Sequence, residues 1–127
     1  GGIVVGYEIG RQLNKRSVFA ERDSGNLILR RGFTLPENSN VLILEDVITT
    51  GKSALECSKL VLTNKANIVG YACIIDRSIN KIFKDHEIVS QLKINIETFE
   101  ENNLPKELEN IEVVKPGSRN IKKWKYV

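Results

Sequence analysis

Residues 41–53, VLILEDVITTGKS, constrain this chain more than any other stretch. Val41-Leu42-Ile43-Leu44 is a four-residue apolar run that follows the turn-like Pro36-Glu37-Asn38-Ser39-Asn40. Such a run suits a strand buried on both faces, as in a parallel sheet. Glu45-Asp46 then stands at the strand's carboxyl end, where ligands bind in open α/β sheets. Thr49-Thr50-Gly51-Lys52-Ser53 is a small, hydroxyl-rich loop. Behind it, Ala54, Cys57, Leu60 and Val61 recur at helical spacing on one face. The loop therefore opens a helix, and free N–H groups at a helix start make an anion site.

The stretch ends like a P-loop, whose pattern is G-x-x-x-x-G-K-[ST]. With Gly51-Lys52-Ser53 as its tail, the first glycine falls at position 46, which is Asp. A carboxylate there would face the phosphate that the loop must cradle, so the P-loop reading fails. A blander reading keeps the strand–turn–helix, with Thr49 or Ser53 capping the helix and the acids in solvent. Acids, hydroxyls and glycine crowd into residues 45–53, which favours a ligand. Phosphate fits the helix start, and the acids suit hydroxyl groups or a metal. A phosphorylated sugar offers phosphate and hydroxyls together.

At these residues the chain resembles a family. An apolar strand, two acids and V-I-T-T-G-x-S look like the motif that binds 5-phosphoribosyl 1-diphosphate (PRPP) in type I phosphoribosyltransferases. The resemblance implies an α/β fold, a mostly parallel sheet flanked by helices, with an arginine-bearing β-hairpin loop. It implies that Glu45 and Asp46 hold the ribose 2′- and 3′-hydroxyls. PRPP would lie along Glu45, Asp46, Val47, Ile48, Thr49, Thr50, Gly51, Lys52 and Ser53, with the 5′-phosphate on Thr49 to Ser53. Lys52 departs from the small residue more usual there.

Composition sets wider bounds. The chain has 127 residues, 41% hydrophobic and 28% charged, which suits one modest soluble domain. It contains no run of 18 apolar residues and no visible signal peptide, which points to a cytoplasmic protein without a membrane span. Cys57 and Cys73 lie in apolar surroundings and read as buried free thiols rather than a metal site. His86, the only histidine, sits in the charged stretch Lys84-Asp85-His86-Glu87 and reads as solvated. A net charge of +3 suits a phosphorylated substrate without establishing nucleic-acid binding. Residues 97–112 are acidic and 115–125 basic, which reads as a solvated surface and a basic tail.

Other segments fill in the frame. Gly1-Gly2 precedes Ile3, Val4, Tyr7 and Leu13, which predicts a helix, with Gly6 and Gly10 permitting close packing. Glycines before a helix start form another candidate anion loop. Ser17 to Arg22 and Leu27 to Phe33 predict two strands of a hairpin about Asp23-Ser24-Gly25-Asn26. The hairpin carries Arg22, Arg30 and Arg31, whose guanidinium forks suit a polyphosphate. Asn67 to Asp76 predicts a long strand ending in Asp76-Arg77-Ser78. Ile88 to Ile96 predicts another strand, and residues 100–110 a polar, weakly helical connection.

The resemblance narrows along residues 19–33 (F-A-E-R-D-x-G-x-x-x-L-R-R-G-F), D-R-S at 76–78 and K-P-G-S-R at 115–119. These are similar to the orotate phosphoribosyltransferases of bacterial type. The implied reaction is orotate + PRPP → orotidine 5′-monophosphate + pyrophosphate, a step of pyrimidine synthesis. By resemblance, Thr49 and Arg77 contact orotate, and Gly1-Gly2 belongs to the pyrophosphate loop. Arg22, Arg30 and Arg31 would lie in the mobile catalytic loop, beside Glu45 and Asp46 as the catalytic set. Mg²⁺ is the implied cofactor, with no metal site of the protein's own. A homodimer is the implied assembly, with neither nucleic acid nor membrane as partner. The alternatives are a transferase for a purine base, which needs no Arg77, and a PRPP-sensing regulator of the same fold. In the family a strand leads into the Gly-Gly loop. Residues 1–127 are therefore expected to be a single domain lacking its amino-terminal portion, about 60–80 residues of it.

Overall fold

The computed structural model describes residues 1–97, 99 and 103–111. Helix α1 (Gly2–Gln12) is followed by strands β1 (Ala20–Asp23) and β2 (Asn26–Leu29). Then come β3 (Asn40–Ile48), helix α2 (Lys52–Thr63), β4 (Asn67–Asp76) and β5 (Ile88–Lys93). All lie in a compact unit, Gly1–Ile96. Strands β3, β4 and β5 form a parallel sheet in that order, and β1 and β2 pair antiparallel. After the first unit, the described residues show only turns, Leu108 N donating to Pro105 O at 2.8 Å and Ile111 N to Leu108 O at 3.1 Å. The connection expected over 100–110 is thus a turn where it is described. Lys115 to Arg119 and the basic tail lie outside the described residues.

Alternation along the strands decides which side chains reach the core. Ile43 stands opposite Tyr71, and Glu45 opposite Cys73. Ile43, Tyr71 and Cys73 are buried, together with Ala54 and Val61 of α2, which packs on this face. Leu42, Ile74 and Val89 alternate to the other face and remain exposed (39%, 45% and 69%). The expectation of a strand buried on both faces is therefore corrected. Helix α2 covers one face, and α1 reaches β3 but leaves these apolar side chains open.

Four boundaries differ from the sequence pattern. β1 begins at Ala20 rather than Ser17 and ends at Asp23, the residue that pairs with Asn26 across the turn. β3 runs through Glu45 and Asp46 to Ile48, because its ladder with β4 continues to the Ile48–Asp76 pair. The acids are inside the strand rather than after it. β2 stops at Leu29, because Arg31 and Gly32 take left-handed φ values of 56° and 73° and Phe33 N turns back to Arg30 O (2.9 Å). Arg30 and Arg31 therefore sit on a turn, not on the hairpin strand. β5 ends at Lys93 rather than Ile96. The hairpin turn itself is as expected, since Ser24 (φ 49°) and Gly25 (φ 88°) both take the left-handed values of a two-residue I′ turn.

Helix α1 presents Ile3, Val4 and Tyr7 outward, and its C-cap Leu13 is exposed too, all at least half exposed. Its buried residue is Gly10, where a Cβ would lie 2.9 Å from Ser17 Cβ, so the close packing expected of this helix is made against the segment that follows it.

Candidate functional site

The loop after β3 is built from backbone. Gly51 is buried, takes φ 71° and is the N-cap of α2, with no side chain capping it. A cap by Thr49 or Ser53 is thereby excluded. The helix's first backbone bond runs from Leu55 N to Gly51 O (2.8 Å), so the preceding amides precede the helical ladder. The Lys52 amide leans on Thr50 Oγ1 at 3.4 Å. Around this loop lies a cleft of about 70 Å³ lined by Glu45 and by Val47 through Ala54. The cleft thus joins one acid of β3 to a helix start suited to an anion.

The second glycine motif meets the same acids. A Cβ on Gly1 would lie 1.5 Å from Asp46 Oδ2, and one on Gly2 would lie 2.9 Å from Glu45 Oε2 and 3.1 Å from Leu44 O. Only residues without a side chain can approach β3 so closely. Burial first, and the neighbouring Asp46 carboxylate second, push the Glu45 carboxyl above its ordinary value. Glu45 is thus held where its charge is poorly solvated.

Arg77 joins from β4. Its amide donates to Ile48 O (2.8 Å), which seats it beside Thr49 across the two strand ends. Its Nε is buried with no hydrogen-bond partner among the described residues. A buried donor of this kind awaits an acceptor. Asp76, only 2% exposed, accepts from Ser78 N (2.8 Å) and faces Lys93 Nζ at 3.3 Å. Burial pushes its carboxyl up, but the Ser78 hydroxyl and amide and the Lys93 ammonium outweigh it and hold it below its ordinary value. Asp76 therefore anchors the turn that carries Arg77.

The three hairpin arginines separate. Arg22 donates to Gly25 O (2.7 Å) and to Glu56 Oε2 of α2 (2.5 Å), tying the hairpin to that helix. Arg31 makes a two-pronged pair with Glu21 at 2.8 and 2.9 Å. Arg30 is exposed and has no ion pair among the described residues.

Neither cysteine is bonded to another. Cys73 is buried and Cys57 half-buried. Burial first, then Glu45 and Glu56, pushes the Cys57 thiol up to about 11, so neither is poised as a nucleophile. His86 is half-buried rather than solvated, its ring edge-on to Tyr71 at 5.7 Å. The residues missed in the sequence are Ile82 and Phe83, which close over the loop and the core. The one signal for them was an apolar pair inside the polar run 80–87.

The chain is similar to known proteins. The model of the family described as phosphoribosyl transferase domain matches residues 2–110. An orotate phosphoribosyltransferase of Caldicellulosiruptor saccharolyticus is 47% identical over 122 residues, which cover 96% of this chain and 64% of that protein. Another, from a Thermoanaerobacter species, is 44% identical over 121 residues, 95% of this chain and 64% of its own length. The chain thus spans just under two thirds of these curated relatives. A crystal structure of orotate phosphoribosyltransferase from Aeropyrum pernix aligns with TM-score 0.55 at 18% identity, over 69% of this chain and 52% of that one. The adenine phosphoribosyltransferase of Thermoanaerobacter pseudethanolicus aligns with TM-score 0.58 at 16% identity, over 73% of this chain and 64% of that one. At such identities the two structures speak for the fold alone, a parallel α/β sheet of the type I phosphoribosyltransferase kind.

Proposed function

Given that the chain belongs to the phosphoribosyl transferase domain family, we propose that it serves orotate phosphoribosyl transfer, orotate + PRPP → orotidine 5′-monophosphate + pyrophosphate. The observation that carries this reading is the meeting of two distant glycine motifs on one pair of acids. Gly1-Gly2 lies against Glu45 and Asp46, while Thr49 to Ser53 forms the cleft beside Glu45. That arrangement suits a ligand with phosphate at one end, hydroxyls in the middle and a diphosphate at the other. The two relatives named for orotate support the choice of base, as does the Arg77 Nε next to Thr49, which has no partner among the described residues and suits an anionic base.

The residues divide the chemistry as follows. Glu45 and Asp46 accept from the ribose hydroxyls and stabilise the positive charge that grows on the sugar as the C1′–pyrophosphate bond weakens. The helix start at Thr49 to Ser53 fixes the 5′-phosphate, and Lys52 adds positive charge at the cleft's edge. Arg77 orients orotate for attack by its ring nitrogen. Arg30, the hairpin arginine without an ion pair among the described residues, meets the departing pyrophosphate. Arg22 and Arg31 hold the hairpin in shape. Closure of the hairpin would exclude water.

Mg²⁺ fits this donor set. Among the described residues no group of three or more His, Cys, Asp or Glu could hold a metal. Mg²⁺ commonly takes one or two carboxylates with waters and substrate phosphates, and Glu45 and Asp46 are adjacent carboxylates. When bound, the ion would neutralise charge on the diphosphate. No described helix is long and apolar enough to cross a membrane. By the same likeness, we take the working protein to be a cytoplasmic homodimer acting on small molecules and not on nucleic acid. Asp46→Asn tests the reading, with turnover expected to fall by at least about tenfold while the fold survives. Near-normal turnover would remove the ribose assignment.

A further inference from the structure

The loop that follows β4 does more than carry Arg77. Ile82 lies directly behind the cleft loop, its Cγ2 2.5 Å and its Cδ1 2.9 Å from where a Cβ on Gly51 would be. Its neighbour Phe83 is buried and stacks face to face on Tyr71, ring centroids 3.4 Å apart and 4° between planes. The Tyr71 hydroxyl lies 2.8 Å from Ser58 Oγ, and Ser58 donates to Ala54 O (2.7 Å), both within α2. The chain of contacts is closed: α2 holds Tyr71, Tyr71 holds Phe83, Phe83 seats Ile82, and Ile82 presses on the residue that begins α2.

We propose that Ile82 is a positioning residue for the phosphate end of the cleft, wedging Gly51 into its left-handed conformation and so fixing the amides that receive the sugar 5′-phosphate. This rests on the phosphoribosyl reading above and extends it to a side chain that lines the far side of the loop and touches no substrate. Gly51 is required twice over. A side chain there would strain the backbone at φ 71° and would also strike Ile82. Without the Ile82 side chain only the first penalty remains, and the loop gains room to sample other conformations. Small displacements of an anion site lower affinity steeply, because the donors must converge on the phosphate oxygens.

Two measurements on the intact protein test this. The first is ribose 5-phosphate binding by calorimetry, with PRPP and orotate KM alongside. Ile82→Ala should weaken ribose 5-phosphate and raise the PRPP KM on the order of tenfold, leaving the orotate KM unchanged, and Ile82→Val should restore most of the loss. The second is the denaturation square of Gly51→Ala, Ile82→Ala and the double variant, which needs no ligand. Ile82→Ala should reduce the penalty of Gly51→Ala, which reports the contact between the two residues, while the split between ribose 5-phosphate and orotate is the readout that a merely structural Ile82 would not give. Unchanged phosphate affinity in Ile82→Ala, or strict additivity in the square, overturns the inference. Wild-type protein that binds ribose 5-phosphate but transfers nothing to orotate overturns only the choice of reaction. Wild-type protein that does not bind ribose 5-phosphate overturns both.

Discussion

Replacing Arg77 with methionine separates binding from folding. The side chain is half-buried, and its Nε has no partner among the described residues. An unsatisfied buried donor costs about 1–3 kcal/mol in the free protein, and methionine removes it while keeping most of the apolar stem. The hydrogen bond that the Arg77 amide donates to Ile48 O is independent of the side chain, so the turn stays in place. Stability should therefore hold or rise by about 1 kcal/mol. The ligand loses a charge-assisted bond worth about 1.5–3 kcal/mol, which is about ten- to a hundredfold in affinity for orotate. PRPP, which this side chain is not assigned to touch, should be affected within about twofold. The assay is the KM for each substrate under saturating partner, with urea unfolding of the same preparations. Equal losses for orotate and PRPP, or a clear loss of stability, would refute the reasoning and make Arg77 structural.

Two carboxylates give opposite pH signatures. In folded protein the Glu45 carboxyl is raised above 4.5, so its contribution favours folding below that pH and is lost as pH rises through the raised value. Glu45→Gln should unfold at higher urea than wild type at pH 7, the gap closing toward pH 4, while turnover collapses. A Gln variant no more stable at pH 7 would contradict the burial argument. Asp76 is held below 3.8, so its contribution is present above that pH and lost as pH falls through the depressed value. Asp76→Asn should be less stable than wild type at pH 6, and the difference should shrink as pH falls below 3.8, as unfolding curves across pH would show.

Much of this architecture was legible because it depends on local pattern. The β4 run NIVGYACIID is β-branched and aromatic, and its bounds match the strand found. Ser24-Gly25 carries its turn chemistry in its own residues. The boundaries that differ depend on partners far along the chain. Nothing in Glu45-Asp46 says that a ladder continues through them, because that is decided by Ile75 and Asp76 on β4. The end of β2 is set by the left-handed turn at Arg31-Gly32, and arginine is a poor advertisement for such a backbone. The acids, the hydroxyl loop and both glycine motifs were visible as separate signals; the structure sets Gly1-Gly2 against Glu45 and Asp46, and Glu45 and the hydroxyl loop on one cleft. Ile82 was not visible, because one isoleucine in a polar loop gives no periodicity, and its role exists only against Gly51. The separate states of Arg22, Arg30 and Arg31 were also hidden, since Glu56 lies on another element.

We propose that the cleft beside Glu45 presents PRPP to orotate. The direct measurement gives the intact protein PRPP and Mg²⁺ with orotate, uracil, adenine or hypoxanthine, each alone, and quantifies nucleoside monophosphate and pyrophosphate. The account predicts orotidine 5′-monophosphate and pyrophosphate in equal amounts with orotate, and little product from the other bases. Efficient product from adenine or hypoxanthine, or none from orotate while PRPP still binds, would contradict it.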